Sequence, residues 1–279
     1  MSNVTKKIVN HSIDYLFQHL NEPLTVKKVA GHFHYSEFYF SRIFKEETGE
    51  SLYAFLKRMK MEQSAIDMKL KADRSITDIG LDYGYTTSNY SSAFKKHTSL
   101  SPAQFRKTFN TDSVQNPFSS ERSEVFEAYT TYDAHIKIEE IGDITVLYER
   151  FIGSYIEIKE RWIKMLDDYQ EYLQSDTWMI ERFYNDPSIS SGKSCVCDLC
   201  LTIDQNYELE NATTIKGGKF AVYRYEGKIA DIFCALQGVF SVWLPKSSYE
   251  MRERYGLNIY RKTDLVNESV VMDLYIPLK

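Results

Sequence analysis

Two short stretches fifty residues apart carry the side chains that could act chemically on a partner. In the first, YSEFYFSRIFKEETG at residues 35–49, helical spacing turns Phe40, Ile43 and Phe44 inward and leaves Phe38, Ser41, Arg42 and Lys45 outward. A guanidinium can fork onto two acceptors of a base edge, a hydroxyl can reach one, and an ammonium meets a phosphate. In the second, Tyr90 and Phe94 turn inward, and Thr87, Ser88, Asn89, Ser91, Ser92 and Lys95 form a short polar face with a cation at its end. Such faces suit a helix in the major groove of double-stranded DNA.

Other reactive residues are less persuasive. Cys195, Cys197 and Cys200 crowd into one segment, but on a strand Cys197 and Cys200 point to opposite faces, so a core role is expected rather than zinc ligation. His32 and His34, two apart in GHFHY, suit a turn or a phosphate contact. The chain shows no nucleophile elbow, no phosphate-cradling glycine loop and no acid pair with usable spacing. No cofactor or metal is expected.

The elements that must position the two faces are themselves duplicated. Residues 29–55 overlie 79–105 without a gap: Ser41 meets Ser91, Phe44 Phe94, Lys45 Lys95, Thr48 Thr98, Ser51 Ser101 and Phe55 Phe105. Each copy reads as helix, tight turn and second helix, with Ala30 and Gly80 where backbones must approach closely. Ser75 with Asp78, and Ser101-Pro102 with Gln104, signal helix starts. Between the copies Leu52, Phe55, Leu56, Met59, Ala65, Ile66 and Leu70 recur at helical spacing, predicting one long connecting helix.

The whole chain of 279 residues, 43% hydrophobic and 26% charged, suits two folded domains. Its net charge of −5 conceals an asymmetry: residues 1–110 hold 16 Lys and Arg against 11 Asp and Glu, and the remainder 18 against 28. A basic part beside an acidic part fits a nucleic-acid-binding domain joined to one with another partner. No stretch approaches the roughly 20 consecutive apolar residues of a membrane span, and the N-terminal residues are amphipathic, so a cytoplasmic protein without a membrane partner is expected.

Residues 8–109 resemble the DNA-binding domain of the AraC/XylS family of bacterial transcription regulators. The likeness rests on PLTVKKVA, SEFYFSRIFKEETGESLYAFLKRMKMEQSA, ITDIGLDYGY and AFKKHTSLSPAQFRK. It implies two helix-turn-helix units bridged by a long helix, with Phe38, Ser41, Arg42, Ser88, Asn89, Ser91 and Ser92 at base-facing positions. Ser92 stands where many members have Arg, Gly80 where Ala is usual, and Ser99 in place of a turn glycine. The first unit is therefore expected to read sequence and the second mostly to grip phosphate.

Beyond a polar stretch at 108–122 the pattern changes to alternation. HIKIEEI, ITVLYERF, SCVCDLCLTI, FAVYRYEG and VVMDLYIPL are strand candidates, and the faces Ile158-Trp162-Met165-Leu166-Tyr169-Leu173 and Ile229-Ile232-Phe233-Leu236-Val239-Phe240-Trp243 are helices. A second repeat appears at an offset of 74: Arg150 meets Arg224, Phe151 Tyr225, Gly153 Gly227 and Ile158 Ile232. Duplicated units of this kind pair about a pseudo-twofold axis and leave a cleft between them. Tyr148, Tyr155, Trp162, Phe183, Tyr184, Trp243 and Tyr260 supply aromatic residues for core and cleft.

Residues 133–279 are similar to GyrI-like effector-binding domains, carried by GGKFAVYRYEG, WLPKSSYEMRERYGLNIY, CVCDLCLTI and YIPLK. The order of the two resemblances is that of Rob-like regulators. It implies a pocket for hydrophobic, often cationic molecules built from stacked aromatics and a buried glutamate. That glutamate normally stands two residues before the tyrosine of GLNIY, and here Asn258 precedes Tyr260. A neutral aromatic or weakly polar effector is therefore expected, bound by Tyr148, Tyr155, Trp162, Phe183, Trp243, Asn258 and Tyr260, with Glu250 and Glu253 as possible substitute carboxylates. Asn258 cannot take a proton from water, which argues against the hydrolase activity of some GyrI-like proteins. A protein-docking module is the remaining alternative.

The expected fold is thus an all-α double helix-turn-helix domain at 1–110, a linker at 111–132, and an α+β domain of two pseudo-symmetric strand-helix-strand-strand repeats at 133–279. Its expected partners are double-stranded DNA, a small-molecule effector and RNA polymerase.

Overall fold

The computed structural model describes residues 3–109, 113–118, 123–190, 194–204, 207, 209–264 and 266–279. The chain divides into two compact units, Met1–Asn110 and Thr111–Lys279.

The first unit is all helical: α1 Asn3–Gln18, α2 Val26–His32, α3 Glu37–Thr48, α4 Leu52–Leu70, α5 Ile76–Asp82, α6 Thr87–Thr98 and α7 Pro102–Phe109. Serine hydroxyls start the helices by accepting from backbone amides: Ser36 from Tyr39, Ser51 from Ala54 and Ser75 from Asp78. Ser101 and Gln104 form a reciprocal capping box, each side chain accepting from the other's backbone N–H. The fifty-residue repeat extends to packing. Phe44 meets Phe55 edge-on at 5.3 Å, and Phe94 meets Phe105 the same way at 5.2 Å.

Both copies also need left-handed backbone at the same two places, and each satisfies one with glycine. The turn residue is His34 (φ 60) in the first copy and Gly84 (φ 81) in the second; the residue capping the second helix is Gly49 (φ 78) in the first and Ser99 (φ 65) in the second. Gly80 has a packing reason: a β-carbon there would lie 2.7 Å from Cγ of Tyr90. The glycine lets that ring settle on α5.

The connecting helix α4, about 28 Å long at 1.5 Å per residue, buries polar residues as well as its apolar face. The Lys60 ammonium donates to the carbonyls of Glu22 and Tyr83 at 3.1 and 3.2 Å, tying both copies to one helix. The Tyr90 hydroxyl donates to Ser64 Oγ, and Arg58 pairs with both Glu50 and Glu62.

In the second unit, the segment expected to be a linker is structured wherever it is described. β1 Ser113–Gln115 pairs antiparallel with β2 Ser123–Val125, and α8 Tyr129–His135 buries Tyr132. The reason lies far along the chain: a β-carbon at Gly238 would collide with the Tyr132 hydroxyl, and Trp243 Nε1 donates to Asp133 at 2.9 Å. Residues 111–112 and 119–122 of that segment lie outside the described residues.

The rest is one antiparallel sheet with helices. Its parts are β3 Ile136–Ile141, β4 Ile144–Gly153, α9 Ile158–Asp168, β5 Met179–Phe183, α10 Pro187–Ser190, β6 Cys195–Thr202, β7 Ala212–Ile215, β8 Gly218–Lys228, α11 Ile232–Gly238, α12 Leu244–Lys246, β9 Gly256–Asp264 and β10 Ser269–Pro277. A π-helical turn, Val239–Trp243, joins α11 to α12. By length and composition alone Ile229–Lys246 could cross a membrane, but its Phe233, Leu236, Val239, Val242 and Trp243 are buried within this unit.

The strand order, β3-β8-β10-β9-β5-β6-β4-β7, is symmetric about its middle: β4, β6 and β5 of one repeat answer to β8, β10 and β9 of the other. The two central strands pair as Met179 with Tyr260, Ile180 with Ile259 and Glu181 with Asn258, which places the pseudo-twofold axis at Ile180 and Ile259. On the face that α9 covers, Leu147, Phe151, Cys195, Cys197, Leu199 and Leu201 pack with Ile158, Trp162 and Met165. On the opposite face Val146, Tyr148, Ile180, Cys200, Phe220, Val222, Leu257, Ile259 and Tyr275 form a second cluster.

Each repeat carries an Arg–Asp–Arg bridge. Asp198 accepts from Arg150 at 2.7 and 2.9 Å, from Arg182 at 2.6 and 2.9 Å, and from the Tyr184 hydroxyl at 3.0 Å. Asp273 accepts from Arg224 and Arg261, both at 2.7 Å. The first bridge is buried, while Arg224 of the second is largely exposed.

Candidate functional site

The two candidate groove-facing surfaces stand on α3 and α6. Phe40, Ile43 and Phe44 anchor α3, and Tyr90 and Phe94 anchor α6. Opposite those anchors Phe38, Arg42 and Lys45 are exposed and Ser41 half-exposed; Thr87, Ser88, Asn89, Ser91, Ser92 and Lys95 are all exposed. Phe38 is 83% exposed. Arg42 is held in place on its own helix: Nη1 lies 3.1 Å from Glu46 Oε1, and the guanidinium sits 5.3 Å over the Tyr39 ring. Exposed pairs of this kind contribute little, about 0.3–0.5 kcal/mol, so Arg42 is readily released to a stronger acceptor.

In the second unit the central strands carry a buried carboxylate. Glu181 on β5 is 5% exposed. It accepts from the Tyr260 hydroxyl at 2.7 Å and from the side chain of Asn258, its partner across the β5–β9 seam. Burial raises its pKa, and those two hydrogen bonds offset only part of the rise. The Trp162 ring stands edge-on to Tyr260 at 6.2 Å. Tyr155 is close enough for Cys195, Glu181 and Cys197 to add to the upward shift that burial imposes on its phenol. Phe183, two residues along the strand from Glu181, meets Phe240 of the second helix edge-on at 6.1 Å. Phe118 touches both halves, edge-on to Tyr155 at 5.9 Å and to Phe233 at 5.7 Å.

The structure therefore brings together Tyr155, Trp162, Phe183, Asn258 and Tyr260 of the residues expected to bind an effector. Two of them lie elsewhere. Tyr148 belongs to the opposite face, where the guanidiniums of Arg150 and Arg182 sit 5.8 and 6.0 Å over its ring. Trp243, 1% exposed, spends its N–H on Asp133 and stacks on Tyr249. Glu250 pairs with Lys279 and Glu253 with Arg252, away from the seam.

Glu181 is the residue that sequence reasoning missed. Its signal was the alternation Met179, Glu181, Phe183 in a short strand, a charge between two apolar residues on one face. The expectation of an uncharged ligand assumed that Asn258 left the site without a carboxylate; Glu181 supplies one. The argument against hydrolysis from Asn258 falls for the same reason.

Residues 134–279 match the model of the GyrI-like small molecule binding domain, and residues 29–108 that of a helix-turn-helix domain. The chain is 33% identical over 102 residues to the transcriptional regulator Rob of Salmonella typhimurium, a match covering 36% of this chain and 35% of that protein. It is 32% identical over 102 residues to the right origin-binding protein of Escherichia coli, with the same coverage. It thus spans about a third of the length of these curated relatives. The C-terminal domain of AraT, a response regulator from Geobacillus stearothermophilus, is 31% identical, with 41% of this chain and 93% of that one covered and a TM-score of 0.35. With more than half of its residues in the first match and an AraC-type helix-turn-helix segment ahead of them, the chain belongs to the GyrI-like small molecule binding family.

Proposed function

We propose that the chain is a sequence-specific DNA-binding regulator of transcription whose second unit senses a small hydrophobic cation. The observation that carries the reading is the duplicated α3 and α6 pair, each anchored by buried aromatics and each presenting an exposed polar or cationic face. Tied to one connecting helix through Lys60, the two helices suit successive major-groove segments about 34 Å apart on one face of a duplex. Arg42 and Ser41 of α3 read bases, and Lys45, Lys95 and the short polar residues of α6 meet phosphates and base edges. RNA polymerase is the partner through which such a regulator acts.

Glu181 supports the sensing half of the proposal. A buried carboxylate bonded to Tyr260, with Trp162 edge-on to that phenol and Tyr155 within electrostatic reach, favours a cation through both charge and aromatic faces. The relatives named as regulators favour binding over hydrolysis as the role of that carboxylate.

Selection of bound DNA from a random pool, repeated with aromatic cations present, tests both halves. One recurrent site spanning two groove segments, with occupancy altered by a cation, is the expected result. Protection confined to a single groove segment would overturn the two-helix reading. A C-terminal unit whose melting temperature no cation or neutral aromatic shifts would favour docking on a protein instead.

A further inference from the structure

The small-molecule reading of the second unit leaves open which cation it takes, and two orphaned atoms beside Glu181 address that question. Among the described residues, few buried side-chain polar atoms lack a protein partner; Asn258 Oδ1 and Trp162 Nε1 are two of them. Asn258 is 7% exposed and Trp162 8%. Both belong to the Glu181 group: Asn258 lies across the seam from Glu181, and the Trp162 ring meets Tyr260, whose hydroxyl is bonded to Glu181.

The orientation of the amide follows from its neighbour. A carboxylate only accepts, so the hydrogen bond between Asn258 and Glu181 uses the amide nitrogen and leaves the oxygen as the free end. The group thus presents a carboxylate and an amide oxygen as adjacent acceptors, and an indole N–H as a donor. Buried acceptors left unmade are costly, and a partner that completes them is favoured over one that only balances charge.

We infer that the ligand is an aromatic or apolar body bearing a protonated nitrogen that still carries N–H donors, a primary or secondary ammonium or an amidinium, and that Asn258 Oδ1 selects it over quaternary ammonium. One N–H meets Glu181 and a second meets Asn258. A ligand acceptor near the charged end completes Trp162 Nε1. A quaternary ammonium of the same charge satisfies Glu181 by proximity and leaves Asn258 Oδ1 bare. Asn258 is thereby a specificity-determining residue, and not only a missing glutamate.

The test uses the full chain and a matched series on one aromatic body: naphthylethylammonium, its N,N,N-trimethyl analogue and the neutral naphthylethanol, each titrated calorimetrically. The primary ammonium should bind about tenfold more tightly than the trimethyl compound, the discrimination typical of one buried orphan acceptor. In Asn258→Leu that ratio should collapse to within about twofold, whatever change in absolute affinity the lost Asn258–Glu181 hydrogen bond brings to both compounds alike. Equal or tighter binding of the trimethyl compound to the unaltered chain overturns donor selection while the cation reading stands. Tightest binding of the alcohol, or binding of none of the three, overturns the cation reading as well. The ratio measured on the unaltered chain decides the matter even if the variant does not fold.

Discussion

The Tyr260 hydroxyl donates to Glu181 Oε2 across 2.7 Å, and the two residues occupy equivalent positions in the two repeats. Each immediately precedes the arginine, Arg182 or Arg261, that completes its repeat's Arg–Asp–Arg bridge. Duplication thus placed an acid and a phenol against one another at the symmetry axis, and their hydrogen bond is one of those that join the halves.

That bond makes Glu181 a test of linkage. Its folded-state pKa is raised, so as pH rises the unfolded chain ionises first and stability falls until the folded value is passed; below the unfolded value nothing is lost. Glu181→Gln removes the deficit. The variant should gain melting temperature relative to the unaltered chain at neutral pH but not at acid pH, and should bind aromatic ammonium at least about tenfold more weakly. Thermal melts at the two pH values with calorimetric titration check both outcomes; an equal offset at both pH values refutes the linkage.

Asp198 behaves in the opposite sense. Burial pushes its carboxyl up, but Arg150 and Arg182 outweigh burial and hold it at about 2. Stability from this group is therefore present above the ordinary Asp value and lost as pH falls toward 2, amounting to about 2–3 kcal/mol. Asp198→Asn strands two buried arginines and should cost about 3–5 kcal/mol. Asp273→Asn should cost less, because exposed Arg224 returns its charge to water. Urea denaturation of both variants ranks them.

The helices of the first unit give two substitutions with opposite expected signs. Ser99 holds φ 65 where the first copy has Gly49, so Ser99→Gly should stabilise by about 1 kcal/mol. Gly80→Ala gains up to about 1 kcal/mol of helix propensity, but its β-carbon would lie 2.7 Å from the Tyr90 ring. Overpacking of that kind costs about 1–3 kcal/mol. The clash should win, and a net gain in melting temperature would refute the close approach.

On DNA, Arg42→Ala should cost about 1–3 kcal/mol on the selected site and relax preference at one base position. Lys95→Ala should weaken all sequences alike and lower the salt slope by about 1. Glu46→Ala, which frees Arg42 from its 3.1 Å partner, should tighten binding slightly. Fluorescence anisotropy over a salt series separates the three; loss of affinity equal on all sequences for Arg42→Ala would deny it a base contact.

Much of the first unit was legible because its determinants are local. The caps at Ser36, Ser51, Ser75 and Ser101 lie within a turn of the amides they serve, and the fifty-residue repeat shows which side of each helix packs. The second unit was legible only as repeats and strands. Helical spacing identified the face of α9 that carries Trp162, and alternation identified β4, but not which side of β4 the helices would cover. Tyr148 was assigned to the wrong face for that reason.

Residue order alone determined two duplicated units, the outward faces of their second helices and the Asn at position 258, since neighbours within a few positions set helical faces and caps. Only the tertiary structure decided where charge meets that Asn: pairing β5 with β9 sets Glu181 against Asn258, 77 positions apart in the chain, in register. It likewise decided that Tyr132 belongs to the core, because Gly238 and Trp243, more than a hundred residues away, make room for α8 and bind it. Strand register and burial arise from contacts distant along the chain, and no local pattern encodes which distant partner a side chain will meet.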